Sequence, residues 1–364
     1  MLDKDSAVYV AGHRGLVGSA IMANLKARGF TNVFGRTHAE LDLLDPVAVD
    51  RFFDEKRPDA VVLAAAHVGG IMANSTYRAD FILRNLGIQQ NVIGSALRHG
   101  VRRLLFLGST CIYPREAPQP MTEDALLTSP LEYTNEPYAI AKIAGMKMCE
   151  AINMQHGTDY VAVMPTNLYG PNDNFHLDNS HVLPAMIRKM HLARLLRENR
   201  EDELRADLRR RPVDGIDADK TGLDEIRRAL AAQGITPDAL RLWGSGKPLR
   251  EFLWSEDMAD ASVHVLLNVH FADLAEECRR RGQPVRNCHI NVGTGLETSI
   301  ADLAEEIRRT AGFEGRIEWD SSKPDGTMRK LCDVSRLHSL GWCHSVELHD
   351  GIRRLYEWYK NSIS

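Results

Sequence analysis

The sequence contains no apolar run near the roughly 18 residues that a membrane-spanning helix needs, which excludes a helical membrane protein. It has no Cys-x-x-Cys spacing. Cys111, Cys149, Cys278, Cys288, Cys332 and Cys343 are scattered, so neither a zinc site nor a disulfide framework is expected. There is no surplus of positive charge: 45 Lys and Arg stand against 49 Asp and Glu, a net charge of −4, which argues against a nucleic-acid surface. No internal repeat or low-complexity tract stands out. The start, Met1-Leu2-Asp3-Lys4-Asp5, is acidic and polar, unlike a secretory signal. These absences leave a globular protein of a reducing, cytoplasmic compartment as the expectation.

What is present fits that class. A chain of 364 residues with 44% hydrophobic and 26% charged residues can bury a full core, in two lobes. The stretch Arg103 to Lys142 organises it. Arg103-Leu104-Leu105-Phe106-Leu107-Gly108 reads as a buried strand that delivers Ser109-Thr110-Cys111-Ile112-Tyr113-Pro114. After a polar loop, Asn135-Glu136-Pro137-Tyr138 opens a helix, and Pro137 is tolerated in its first turn, where no intrahelical N–H partner is needed. Tyr138 and Lys142 are four apart and share a face. Such a pair, with the Ser109 hydroxyl, can move a proton at a carbonyl oxygen, and the spacing predicts that Lys142 lowers the Tyr138 pKa.

Near the chain start, Ala7-Val8-Tyr9-Val10-Ala11 leads into Gly12-His13-Arg14-Gly15-Leu16-Val17-Gly18 and then a helical pattern. Strand, glycine turn and helix in that order predict a pyrophosphate resting on a helix N-terminus. The next strand, Asn32-Val33-Phe34-Gly35, ends on Arg36 rather than on an acid, which favours the 2′-phosphate of NADP over NAD, with Arg14 within reach of the same phosphate. Ala60 to Ala66 is a continuous apolar strand, and Asp80 to Arg98 a long helix. Asp159 to Met164 is a further strand, ending in Pro165-Thr166-Asn167-Leu168-Tyr169-Gly170-Pro171. The alternation predicts an α/β fold, a Rossmann-type doubly wound parallel sheet with a smaller, mostly C-terminal α/β substrate domain.

The residues alone leave plainer roles open. Tyr138 and Trp243 are also compatible with packed aromatics, Cys111 with a small buried hydrophobe and His181 with a structural imidazole. Arg36 reads equally as a surface residue, and Asp325, which precedes Gly326, as a turn aspartate.

Taken together, the glycine turn, Arg36, the Ser109/Tyr138/Lys142 set and Asn167-Leu168-Tyr169-Gly170-Pro171 resemble the extended short-chain dehydrogenase/reductase family. Ala64-Ala65-Ala66-His67-Val68-Gly69-Gly70-Ile71, Gly108 to Pro114, Asn179-Ser180-His181, Trp243-Gly244-Ser245-Gly246-Lys247-Pro248, Arg250-Glu251-Phe252-Leu253 and Ser322-Lys323-Pro324-Asp325-Gly326-Thr327 resemble its branch acting on 4-keto GDP-sugars. The resemblance runs from about Val8 to the C-terminus. It implies NADPH-dependent 3,5-epimerisation and 4-keto reduction of GDP-4-keto-6-deoxy-D-mannose to GDP-L-fucose.

The same resemblance implies that Gly12 to Gly18, Arg36, Leu107, Gly108, Lys142, Pro165, Thr166, Asn167, Leu168 and His181 contact NADP. Cys111 and His181 become the acid/base pair for epimerisation, which of them is base being undecided. A thiol near about 8.5 and an imidazole near about 6.5 both suit proton transfer near neutrality. Lys189, Trp243, Arg250, Asp325 and Lys330 become GDP-sugar contacts, although the family usually carries arginine at the position of Lys189. The implied domains are 1–170 with about 256–293 for NADP, and about 171–255 with 294–364 for the sugar nucleotide. A charged stretch at about 193–240 departs from the family pattern and reads as a solvated excursion, with an oligomer contact or a lid as the alternative. A homodimer through the helices around Asp80–Arg98 and Tyr138–Gln155 is implied as well. Another 4-keto GDP-sugar, of a 6-deoxy-heptose or colitose type, remains open as substrate. So does a non-catalytic NADP-binding sensor. A dehydratase fits less well, because Cys111-Ile112 stands where related dehydratases carry Asp-Glu.

Overall fold

The computed structural model describes residues 2–323 and 325–362, so Pro324 of the last quoted motif lies outside the described residues. Five strands, β1 (Val8–Ala11), β2 (Val33–Phe34), β3 (Ala60–Leu63), β4 (Arg103–Leu107) and β5 (Asp159–Pro165), join Ile290–Val292 in one six-stranded sheet. Its order is Ile290–Val292, β5, β4, β3, β1, β2, and the pairings are parallel throughout. β1, β3 and β4 are buried along their whole length, because helices cover both faces.

The helices of this part begin with α1 (Leu16–Ala27), α2 (Pro46–Lys56), α3 (Ile71–Thr76), α4 (Arg78–Arg98) and α5 (Glu136–His156). Alternate residues of each strand serve opposite cores. Val8 and Val10 pack with Ile21 and Leu25 of α1 and with Met258 and Val265 of the helix Ser255–Asn268. Tyr9 and Ala11 pack with Phe52 and Phe53 of α2, Val92 and Ile93 of α4, and Met146 of α5. β3 stops at Leu63, three residues short of the apolar run that suggested it. Its neighbour β1 ends at Ala11, where Gly12 turns away at φ +85°, so after Ala64, whose N–H donates to the Ala11 carbonyl at 3.0 Å, Ala65 and Ala66 have no ladder to join. α5 starts at Glu136 with Pro137 in its first turn, and ends at Gly157, which takes the left-handed conformation of a C-cap.

The chain divides into two compact units: 1–168 with 251–296 and 331–345, and 169–250 with 297–330 and 346–364. The expected boundaries placed 331–345 in the second domain. The structure returns this segment to the first, since Cys332, Val334, Leu337 and Trp342 are buried in the cores on the two faces of the large sheet. The second unit holds the helices α6 (Val182–Arg197), α7 (Glu201–Arg210), α8 (Leu223–Ala232), Ile300–Ala311 and Leu348–Asn361. Ala239–Trp243 pairs in parallel with Arg316–Asp320, and Leu249–Arg250 lies between Thr298–Ser299 and Arg329–Lys330.

The charged stretch 193–240 is not a solvated excursion. Leu195 and Leu196 of α6, Leu204 and Leu208 of α7, and Ile226 and Leu230 of α8 are buried. The mixed-sign charges occupy the outer faces, and that outer face was all that the charge pattern reported. One ion pair is turned inward. Arg188 of α6 and Asp207 of α7 are both fully buried, Arg188 Nε donating to Asp207 Oδ1 at 3.0 Å. The Tyr359 hydroxyl donates to the other carboxylate oxygen, and Arg188 also reaches the carbonyls of Phe175 and Arg211.

Removing one member of such a pair leaves an uncompensated buried charge. Asp207→Ala is therefore expected to lose about 3–5 kcal/mol in urea unfolding, while Arg188→Met combined with Asp207→Leu recovers most of the loss. Equal costs for the single and the double variant would contradict this account.

Candidate active site

The site begins where β1 ends. A side chain at Gly12 would meet the backbone nitrogen of Ala65 at 2.7 Å, and one at Gly18 would meet the Gly12 carbonyl oxygen at 2.1 Å. Only glycines allow the turn to lie this close to the next strand and to its own helix. Gly15 stands at the N-cap of α1 with no side chain closing the helix end, so the first-turn amides face outward. That is a ready anion cradle. Arg14 is exposed, while Arg36 leaves β2 with its guanidinium over the Phe52 ring at 5.7 Å and donates Nη1 to the Gly35 carbonyl at 2.9 Å. The His13 ring lies against Gly35, where a Cβ would meet it at 2.2 Å. Glycine cradle, open helix end and two guanidiniums suit a dinucleotide with an additional phosphate.

β4 delivers the second set. Beyond Leu107, Ser109 caps the short 3-10 turn Thr110–Ile112, and its Oγ accepts from the Cys111 N–H at 3.3 Å. The turn carries Cys111 into a buried position. From α5, Lys142 Nζ donates to the Leu107 carbonyl at 2.8 Å and lies 5.0 Å from the centre of the Phe106 ring and 5.7 Å from that of Tyr138. The ladder and the helix thus bring Ser109, Cys111, Tyr138 and Lys142 to one place.

Their electrostatics differ from the simple expectation. Burial pushes the Lys142 ammonium down to about 8, and the nearby Cys111 works the other way. Burial also raises the Tyr138 phenol well above its ordinary value, with Cys111 adding to the rise. The sequence predicted a lowered Tyr138. Desolvation is the larger cause, because the phenol is buried, and the Cys111 charge adds to it.

Three residues that the sequence reading passed over hold this geometry. Phe81, Asn85 and Gln89 are spaced by four along α4, all buried. Asn85 exchanges hydrogen bonds with the backbone of His67, at 2.9 Å each way, fixing the loop after β3. Gln89 donates to the Ala141 carbonyl at 2.9 Å, one residue before Lys142. Gly145 lets the two helices approach: a Cβ there would meet Phe106 at 2.6 Å and Gln89 at 2.8 Å. The signal available was an amide every four residues on an otherwise apolar helix face.

Pro165, Thr166, Asn167 and Leu168 follow β5 in the same unit, with Asn167 donating to the Glu251 carbonyl at 2.8 Å. The remaining expected residues belong to the second unit. His181 precedes α6 at its N-cap, where the surrounding protein strips part of the hydration of its ring and lowers its pKa although the residue as a whole keeps solvent-accessible surface. Lys189, just over two turns further, is lowered by burial and raised in part by Asp178. Burial also lowers Arg250, and Asp325 opposes it. Trp243 is 62% exposed, with Lys323 Nζ 5.5 Å from its ring centre. Asp325 is occupied: its carboxylate accepts from the Ser245 N–H at 2.8 Å and hydroxyl at 2.6 Å, bracing the turn after Trp243, where Gly244 adopts φ +81°. Lys330 closes the edge strand Arg329–Lys330 beside Arg250.

A parallel sheet with a glycine cradle after its first strand, and a Ser/Tyr/Lys set at the end of its fourth, define a dinucleotide-dependent enzyme of the extended short-chain dehydrogenase/reductase type. The chain belongs to the NAD dependent epimerase/dehydratase family, whose model matches residues 8–207 and 220–278. It is 49% identical to GDP-L-fucose synthase 1 of Arabidopsis thaliana, over 100% of this chain and 96% of that one. Identity to the GDP-L-fucose synthase of Escherichia coli K12 is also 49%, over 97% and 96% of the two chains. Among solved structures, a GDP-D-glycero-L-gluco-heptose synthase of Campylobacter jejuni, crystallised with NADPH, is 40% identical and superposes with a TM-score of 0.90, covering 99% of this chain and 100% of that one.

The buried Lys142 has a measurable consequence. In the unfolded chain it titrates near about 10.4, in the folded chain near about 8. Between these values only the unfolded state holds the proton, so stability rises with pH across this window. Relative to Lys142→Met, the wild type is expected to gain up to roughly 3 kcal/mol between pH 8 and about 10.4 in urea midpoints. A flat difference across that range would show that the folded-state pKa is not depressed.

Proposed function

We propose that this chain is an NADPH-dependent enzyme that converts GDP-4-keto-6-deoxy-D-mannose into GDP-L-fucose by epimerisation at C3 and C5 and reduction at C4. The single observation that carries the reading is Cys111 beside Tyr138 and Lys142, in a chain similar along its whole length to GDP-L-fucose synthases. A reductase needs a proton donor but no thiol. Epimerisation beside a ketone needs a base and an acid.

The residue roles combine what the family resemblance implies with the chemistry of each side chain. Gly12 to Gly18 hold the pyrophosphate, Arg14 and Arg36 the 2′-phosphate, and Leu107, Gly108 and Pro165 to Leu168 line the nicotinamide end. The bound cofactor supplies hydride to C4. Tyr138, whose raised pKa keeps the phenol protonated, gives its proton to the C4 oxygen, and Ser109 donates a hydrogen bond to that oxygen. Lys142 stabilises the negative charge on this oxygen during enolisation. Cys111 and His181 remove and return protons at C3 and C5, with His181 also contacting the cofactor. Lys189, Arg250 and Lys330 meet the diphosphate, while Trp243 and Asp325 border the nucleotide. A second substrate reading, another 4-keto GDP-sugar, draws on the likeness to the heptose synthase.

α4 and α5 carry exposed apolar side chains, Leu83 at 67% and Ile140 at 42%. These support a homodimer through the two helices, and Leu83→Glu is expected to give a monomer in sedimentation; an unchanged species would remove this surface from consideration. Six free cysteines suit a reducing cytoplasm.

The test of function is loss of NADPH absorbance with GDP-4-keto-6-deoxy-D-mannose, with the product read by NMR. Wild type is expected to yield GDP-L-fucose. Cys111→Ala is expected to slow epimerisation by about 10²–10⁴-fold while still binding NADPH. Turnover only with a heptose analogue would move the assignment to that substrate, and binding without any turnover would favour a sensor.

A further inference from the structure

The chain passes between the two units five times, after residues 168, 250, 296, 330 and 345. One residue, Glu251, stands at the first of these returns to the first unit and reaches two others, near 296 and 331, with its carboxylate, and the segment before 168 with its main-chain carbonyl. Glu251 is fully buried. Its Oε1 accepts from the N–H groups of Thr294 and Gly295, both at 2.7 Å, and its Oε2 from the N–H of Cys332 at 3.0 Å. Its own carbonyl accepts from Asn167 Nδ2 at 2.8 Å and from the Thr166 hydroxyl at 3.3 Å. Gly293 has no side chain here for a reason: its Cβ would stand 2.2 Å from Glu251 Oε1.

We propose that Glu251 is a positioning residue for both the cofactor and the sugar nucleotide. The proposal rests on the functional reading above. Glu251 itself touches neither ligand. Its carboxylate, held by Thr294, Gly295 and Cys332, fixes the position of its own main chain, whose carbonyl in turn holds Thr166 and Asn167, assigned to the cofactor, and it sets the backbone from which Arg250 and Lys330, assigned to the diphosphate, extend. A carboxylate is suited to the task because each oxygen accepts more than one hydrogen bond and neither donates. Glutamine is nearly the same size, but its amide nitrogen would confront the Cys332 N–H, donor against donor, and that segment would have to move. Shape and burial are kept while the clamp is lost.

The experiment compares wild type with Glu251→Gln and with Gly293→Ala, which displaces the carboxylate while keeping its charge. NADPH affinity is read by fluorescence titration, the KM for GDP-4-keto-6-deoxy-D-mannose and kcat by turnover, and folding by urea unfolding. Both variants are expected to unfold cooperatively and to weaken NADPH binding and raise the sugar-nucleotide KM by roughly ten-fold, with kcat within about three-fold. Unchanged NADPH affinity and KM, whatever the urea midpoint, would overturn the proposal, as would failure of both variants to fold, which assigns Glu251 to stability alone. If wild type itself does not turn over the sugar, the substrate reading has failed, and the NADPH titration then decides the role of Glu251.

Discussion

The bond from the Lys142 ammonium to the Leu107 carbonyl is the constraint on which the site depends. It ties α5 to the end of β4 at the point where the sheet ladder stops. Leu107 still pairs with Val163 of β5, whereas the next residues must turn into the site. With that carbonyl held, the strand cannot slide relative to the helix, and Ser109 and Cys111 keep their place beside Tyr138. The cost is a cation in a dry environment, visible in its depressed pKa. A protein built for stability alone would place methionine or leucine here. A buried cation is what the proposed role, meeting charge on a reacting oxygen, would require.

A second consequence concerns division of labour between the two faces of α4 and α5. Their inner faces carry Asn85, Gln89 and Gly145, where polar satisfaction and close approach leave little room for variation. Their outer faces bear Leu83 and Ile140. The same two helices are therefore closely packed on one side and leave apolar side chains exposed on the other.

Much of the fold was legible in the sequence because parallel strands are written as short continuous apolar runs with glycine or polar residues at their ends. β1, β4 and β5 appear nearly where the runs predicted. β3 was over-extended because composition cannot register that the neighbouring strand has ended at Gly12. The segment 331–345 was assigned to the wrong domain since its apolar residues are few and irregularly spaced, and only tertiary packing shows which core they join. The stretch 193–240 was misread for a related reason: abundant charge on exposed faces hid the leucines beneath and the Arg188–Asp207 pair. At the site, residue types and spacings exposed the Tyr138/Lys142 pair, but not the sign of the Tyr138 shift, which depends on burial. Glu251 stood in a recognisable motif, yet its partners come from segments far apart in the chain, which no local pattern brings together.

The order of strands in the large sheet also bears on how the chain is made. β5 pairs on one side with β4, its near neighbour in sequence, and on the other with Ile290–Val292, which follows the first segment of the second unit, 169–250. During synthesis the open edge of β5 waits while more than a hundred residues emerge, flanked by Val161 and Val163 that have no cover on that side until the last strand arrives. Parallel pairing over such a separation is slow to close. The nascent chain therefore carries an apolar, unpaired strand edge for a substantial part of its translation, exposed to pairing with another copy unless a chaperone shields it.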